Sequence, residues 1–249
     1  ISLSSDVAPE IREYERCVTT CANAFVQPLM DRYIARLLHE IAALGFTGTL
    51  TLMQSDGGLC APDLARAFPI RLLESGPAGG ALATVLFARG VGLPDAIAFD
   101  MGGTTAKSCL IENGRAEVAP MMEAARVHRF KRGSGLPIRT PVVDMIEIGA
   151  GGGSIARVDP LGRITVGPDS AGSMPGPACY GRGGTLPTVT DADLVLDWID
   201  PARFAGGQIT LAPAQAVAAC ERAVATPLGM SPQQAALGIT EIVTETMAS

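Results

Sequence analysis

Apolar positions along this chain follow two rhythms. Phe25, Leu29, Ile34, Leu37, Leu38, Ile41 and Leu44 recur at close to helical spacing and stop at Gly45, which predicts a helix over 18–44. Pro28 falls inside it and predicts a kink or a break into two helices. Further helices are predicted from just after the SGPAGG segment to about Arg89, from near Thr190–Asp193 to Trp198, over 212–225 and over 232–248. Shorter apolar runs predict strands at Thr49–Met53, Pro69–Leu73 and 142–148 (VVDMIEI), and a hairpin of Ile155–Val158 with Arg163–Val166 across Asp159-Pro160-Leu161-Gly162. Ser55-Asp56-Gly57-Gly58 reads as a turn, and Pro62 as the start of a short helix. Residues 119–140 lack periodicity and 167–188 are dense in Gly and Pro, so both read as loops.

One segment joins this patterning to chemistry. In AIAFDMGGTTAKSCLIENGRAEV (96–118) an apolar strand ends in Asp100, followed by Gly102, Gly103, Thr104 and Thr105, a second strand, and an Asn113-Gly114 turn. Glycine lets the backbone approach a ligand, and successive N–H groups in such a turn can point at an anion. An acid at the strand end can hold a divalent metal ion, directly or through water. The combination reads as one wall of a nucleotide-phosphate site, against the simpler reading of a tight hairpin with a structural acid. Gly76, Gly79 and Gly80 read either as a helix start packed on a sheet or as an anion-binding helix N-terminus. Gly151, Gly152, Gly153 and Ser154 read either as a flexible turn or as a close approach of backbone to ligand or partner.

Composition narrows the classes. With 249 residues, 47% hydrophobic and 18% charged, the chain can bury a substantial core. A high Gly and Pro content favours a loop-rich α/β protein. A net charge of −6 argues against nucleic-acid binding. The basic cluster Arg126–Arg132, with His128, reads as a solvated loop. Six scattered cysteines without a CxxC predict buried free thiols rather than zinc, although Cys179, in a Gly/Pro loop, reads as a candidate exposed thiol. Asp191 and Asp193 read as helix cap and first-turn acids. No signal peptide or membrane span is recognisable, so a cytoplasmic protein without membrane contact is expected. The missing initiator Met and the uncapped last helix suggest a fragment.

REYER (12–16), MQSDGG (53–58), SGPAGG (75–80), FDMGGT (99–104), GAGGGSIA (149–156), VGPDSAG (166–172), PGPACYGRGG (175–184) and PTVTDADLVL (187–196) occur in that order. Together they resemble the hydantoinase A / 5-oxoprolinase family across nearly the whole chain. The resemblance implies a hydantoinase A-type domain fragment over 1–249: an α/β, ribonuclease-H-like or actin-like ATPase domain with a mixed sheet, flanking helices and Gly/Pro-rich loops. Within it we expect a helical and α/β entry region at 1–94, a phosphate-hairpin and glycine-rich β region at 95–200, and truncated C-terminal helices at 201–249.

The resemblance also implies ATP and Mg2+ as cofactors, and opening of a cyclic amide or imide after ATP phosphorylates the amide oxygen. FDMGGT would be the second phosphate turn, with Asp100 catalytic and metal-holding. The first phosphate turn would lie upstream and an adenosine-contacting segment downstream, so the piece alone is expected to bind ATP weakly or not at all. A B-type hydantoinase subunit or domain would complete the reaction, and an oligomer is expected. Thr105-Ala106-Lys107 stands where many members read Ser-Thr-Asp, and Asp56 where Asn is common. Alternatives are a subunit of an ATP-dependent ketone carboxylase, or a nucleotide-binding module without turnover.

Overall fold

The computed structural model describes residues 1–125 and 133–248; the basic cluster Arg126–Arg132 lies outside them. Contacts group the chain into two units, Ile1–Phe99 with Ser108–Met145, and Asp100–Lys107 with the chain from Ile146 onward.

The first unit opens with the short helix α1 (Ser4–Val7) and the long helix α2 (Glu13–Ala43), which runs through Pro28 as a single helix. It ends where Gly45 takes φ +84°. Its inward face carries two buried polar residues with work to do. Thr19 Oγ1 accepts the Arg139 amide at 2.9 Å, and Asn23 donates to Ala67 O at 3.1 Å while accepting the Ile70 amide at 3.3 Å. The outward face carries Cys17 and Cys21, which are exposed where buried thiols were expected.

Strands β1 (Leu52–Met53) and β2 (Leu59–Cys60) pair antiparallel across the Ser55–Gly58 turn, where Asp56 Oδ1 accepts the Gly58 amide at 2.8 Å. Helix α3 (Pro62–Ala67) starts at the expected proline. The expected strand at Pro69–Leu73 is instead a 3-10 turn, Pro69–Leu72. Pro69 has no N–H for a sheet ladder and Asn23 already occupies the Ile70 N–H, so no strand pairing can form there. Helix α4 (Ser75–Gly90) begins earlier than expected and takes Gly76, Gly79 and Gly80 into its first turns.

Strand β3 (Ala96–Met101) leads through the glycine turn to β4 (Ala106–Glu112), and β5 (Arg115–Ala116) returns across Asn113-Gly114. Both turn residues have positive φ, 51° and 71°, as an Asn-Gly hairpin requires. Ala98, Cys109 and Ile111 face Ala78, Ala81 and Val85 of α4 in one buried cluster. Four short strands complete the unit: β6 (Val118–Ala119), β7 (Met122–Ala124), β8 (Leu136–Ile138) and β9 (Val142–Val143), paired β6 with β9 and β7 with β8. The stretch 119–140, expected as loop, thus carries sheet pairing. Burial of Ile138 with Val7 and Ile70 drives it.

The expected strand over 142–148 is broken. Val142–Val143 pairs with β6, the Val143 amide turns to Ser55 O (2.8 Å) and the Asp144 amide to Glu117 O (2.8 Å), and strand resumes as β10 (Ile146–Ile148), next to β4 in the sheet order.

In the second unit β11 (Ser154–Val158) and β12 (Ile164–Ser170) form the expected hairpin. Asp159 caps its turn, accepting the Leu161 and Arg163 amides at 2.9 and 3.0 Å. Helices α5 (Val189–Val195), α6 (Pro213–Cys220), α7 (Thr226–Leu228) and α8 (Pro232–Ala248) follow. One buried cluster joins Ala106, Ile148 and Ala156 to Val189 and Ala192 of α5 and to Ala235, Ile239 and Val243 of α8.

Helix α5 begins with a capping box: Thr188 Oγ1 accepts the Asp191 amide and Asp191 accepts the Thr188 amide. Asp191 is fully buried and also accepts Thr188 Oγ1 and the amides of Ala178 and Cys179, at 2.9, 3.1 and 2.7 Å. The expected cap role of Asp191 therefore extends to pinning the Pro177–Tyr180 loop. Asp191→Ala strands those buried donors and is expected to destabilise by about 3 kcal/mol, read from denaturant midpoints of the full-length protein.

Candidate functional site

The Asp100–Thr105 turn lies open. Asp100, Gly102, Gly103 and Thr104 are exposed and Thr105 is half-buried, so no core side chain plugs the bend. The turn is closed on itself by the Gly102 amide donating to Thr105 O at 2.9 Å.

Its shape is set from behind by the second glycine run. The Gly152 amide donates to Gly102 O at 3.0 Å and the Gly153 amide to Gly103 O at 2.7 Å. A trans peptide points its N–H opposite its C=O. With the carbonyls of Gly102 and Gly103 pinned toward the second loop, the N–H groups of Gly103 and Thr104 must point away from it. Neither amide has an acceptor among the described residues. Two adjacent outward amides make an anion-binding concavity. A Cβ on Gly103 would meet nothing within 4 Å, so the space beside its Cα is open.

The loop glycines permit this backing contact. A Cβ on Gly151 would lie 2.6 Å from Gly102 O, and one on Gly153 2.8 Å from Gly103 O. Backbone cannot give way to such an intrusion, so only glycine lets the two loops touch. Ser154 Oγ accepts the Gly151 amide at 2.9 Å and shapes the same loop. The structure thus brings Gly102, Gly103, Gly151, Gly152, Gly153 and Ser154 together. Gly76, Gly79 and Gly80 belong to the other unit, in α4, where Gly76 and Gly80 face open space.

Sequence reasoning missed two hydroxyls that brace this arrangement. Thr190 donates both its amide and Oγ1 to Gly152 O, each at 2.8 Å, and Ser170 Oγ donates to Gly103 O at 3.4 Å. Thr190 lies inside PTVTDADLVL, but only its tertiary partner reveals what it does.

The Asp100 carboxylate has no donor or cation partner among the described residues and remains available to a metal ion. No group of three or more His, Cys, Asp or Glu among the described residues could hold a metal. A Mg2+ held by one carboxylate, phosphate oxygens and water suits such a site, because Mg2+ keeps several waters and binds few protein groups.

Cys179 is fully buried, correcting its expected exposure; burial and the neighbouring Asp191 push its thiol far above the usual range. Cys220 is likewise pushed up to about 12 by burial. Neither supplies a thiolate nucleophile. Asp193 sits in the second turn of α5, past the first-turn position expected of it, and burial raises its carboxyl from 3.8 to about 6. Between those values the folded chain keeps a proton that the unfolded chain has lost, so this group lowers stability as pH rises through the window and by a constant amount above it. Asp193→Asn is therefore expected to gain stability over wild type progressively from pH 4 to 6 and evenly thereafter, measured by unfolding midpoints across pH.

No described helix is long and apolar enough to cross a membrane. The Hydantoinase/oxoprolinase family model matches residues 16–249. Caprolactamase subunit alpha of Pseudomonas jessenii is 38% identical over 244 residues, 98% of this chain and 34% of that protein. Acetophenone carboxylase gamma subunit of Aromatoleum aromaticum is 37% identical over 252 residues, 100% of this chain and 33% of that one. A nucleotide-free acetone carboxylase structure matches with a TM-score of 0.79 at 28% identity, covering 97% of this chain and 33% of that chain. The chain spans about a third of the length of these relatives. Its mixed α/β architecture is theirs, in keeping with the expected actin-like ATPase fold. With the match running from Arg16 to the end of the sequence, this chain belongs to the hydantoinase/oxoprolinase family.

Proposed function

We propose that this chain carries one wall of the phosphate site in the A-type subunit or domain of an ATP-dependent cyclic amide hydrolase of the hydantoinase/5-oxoprolinase type. The observation that carries the reading is the pair of outward amides, Gly103 and Thr104, in the same turn as Asp100, whose carboxylate has no partner among the described residues. ATP would supply its γ-phosphoryl group to the amide oxygen, with ADP as leaving group, so that the otherwise unreactive carbonyl carbon is opened to attack by water. The chain's own residues have three tasks. The Gly103 and Thr104 amides, with the Thr104 and Thr105 hydroxyls, hold phosphate oxygens; Asp100 holds Mg2+; Gly151–Ser154 keep the amides aimed. Phosphoryl transfer depends chiefly on such positioning and charge neutralisation. At the N-terminus of α4 the amides of Ser75 and Gly76 precede the helical ladder and can face an anion, whereas Gly79 and Gly80 lie in the ladder and would contribute only their lack of a side chain. A B-type subunit would complete ring opening, which accords with relatives that are named as subunits.

The carboxylase relatives favour a second reading, an ATP-dependent ketone carboxylase subunit. Phosphate release by the full-length protein with its partner separates the two. Release that requires a lactam, hydantoin or 5-oxoproline supports amide opening. Release that requires a ketone and consumes bicarbonate supports carboxylation. ATP binding without substrate-dependent release of either kind leaves a nucleotide-binding module.

A further inference from the structure

Two chains of peptide groups run through the glycine loop and end at the outward amides. In the first, the Ser154 amide donates to Gly151 O (2.9 Å), the Gly152 amide of that same peptide group to Gly102 O (3.0 Å), and the next N–H is Gly103. In the second, Thr190 donates from Oγ1 and from its amide to Gly152 O (2.8 Å each), the Gly153 amide to Gly103 O (2.7 Å), and the next N–H is Thr104. Each link is a trans peptide that accepts on one side and donates on the other. Hydrogen bonds in series polarise one another, so donation at the far end strengthens the terminal N–H as a donor.

We propose that Thr190 is a positioning residue for the phosphate turn: its hydroxyl, which faces Gly152 and touches no ligand, sets the aim and donor strength of the Thr104 amide. This rests on the phosphate-binding reading above. Thr190 is buried, and its hydroxyl spends its proton on the Gly152 carbonyl alone among the described residues. A Cβ on Gly152 would lie 2.8 Å from Thr190 Oγ1, so the contact is close enough for a change at either residue to move the other. The capping box fixes the start of α5, and therefore Thr190, against the rest of the second unit. A displacement of this hydroxyl passes to Gly152, then Gly153, then the Gly103–Thr104 peptide.

The test uses the full-length protein with three variants: Thr190→Val, which keeps shape and removes the hydroxyl; Thr190→Ser, which restores it; and Asp100→Asn. Dissociation constants for Mg-ATP and for Mg-pyrophosphate are measured by titration calorimetry, with circular dichroism confirming the fold. Thr190→Val is expected to weaken both ligands about 3- to 10-fold, the worth of one hydrogen bond, and Thr190→Ser to recover wild-type affinity. Wild-type affinity in Thr190→Val overturns the proposal, as does a Thr190→Ser variant as weak as Thr190→Val, which would assign the effect to packing. Asp100→Asn separates the two levels. If it weakens Mg-ATP while Thr190→Val does not, the relay fails and the phosphate site stands. If Mg-ATP binds all three variants as it binds wild type, the phosphate reading itself fails, and the relay with it.

Discussion

Asp100→Asn in the full-length protein is expected to lower ATP turnover by at least about 10²- to 10³-fold, with circular dichroism and unfolding midpoint unchanged. The charge removed is the only one on the open turn itself, and the carboxylate is exposed, without a partner among the described residues whose loss would unsettle the fold. Asn keeps the size and one acceptor oxygen but cannot neutralise a metal ion. The loss should therefore fall on turnover and on Mg2+ dependence rather than on expression. Turnover within threefold of wild type would remove Asp100 from the mechanism.

The second large effect is steric. Gly151→Ala places a methyl 2.6 Å from Gly102 O and 2.8 Å from Gly103 C and Thr104 N. Every one of these atoms is backbone, so the collision can be relieved only by pushing the Asp100–Thr105 turn away from its backing loop. We expect a destabilisation of about 1–3 kcal/mol. ATP turnover should fall at least about 10²-fold, because positioning errors near 1 Å carry such costs. Gly90→Ala is the matched control. Gly90 ends α4 with nothing within 4 Å of a Cβ, so that variant should keep full activity and gain up to about 1 kcal/mol. Equal behaviour of the two variants would show that the contact between the loops does not govern the site.

Local chemistry made part of this legible before any coordinates. Asn113-Gly114 forces its turn by positive φ, the strand into Asp100 ends at its glycines, and Asp159 to Gly162 closes a hairpin. What escaped was settled by partners distant in sequence. Whether Pro69–Leu72 pairs as a strand depends on Asn23, 47 residues before Ile70. The run 142–148 is broken by acceptors at Ser55 and Glu117, which no periodicity of its own residues encodes.

The candidate site shows the same division. That Gly102 and Gly103 form an open turn follows from the sequence around them. That Gly151–Gly153 serve this turn through their amides does not, because a glycine run looks alike whether it admits a ligand or a neighbouring backbone. Here the spacing of an added Cβ to Gly102 and Gly103 decides for backbone. Thr190 was hidden for a related reason: a threonine at a helix start is explained by local capping until its hydroxyl is found on Gly152. Asp191 went the other way, its local role being correct and its grip on Ala178 and Cys179 being invisible from the sequence.

The most direct measurement is a structure of the full-length protein with Mg2+ and a non-hydrolysable ATP analogue. Phosphate oxygens within about 3 Å of the Gly103 and Thr104 amide nitrogens are the expected result. Phosphates bound elsewhere, with those two amides still facing solvent, would contradict it.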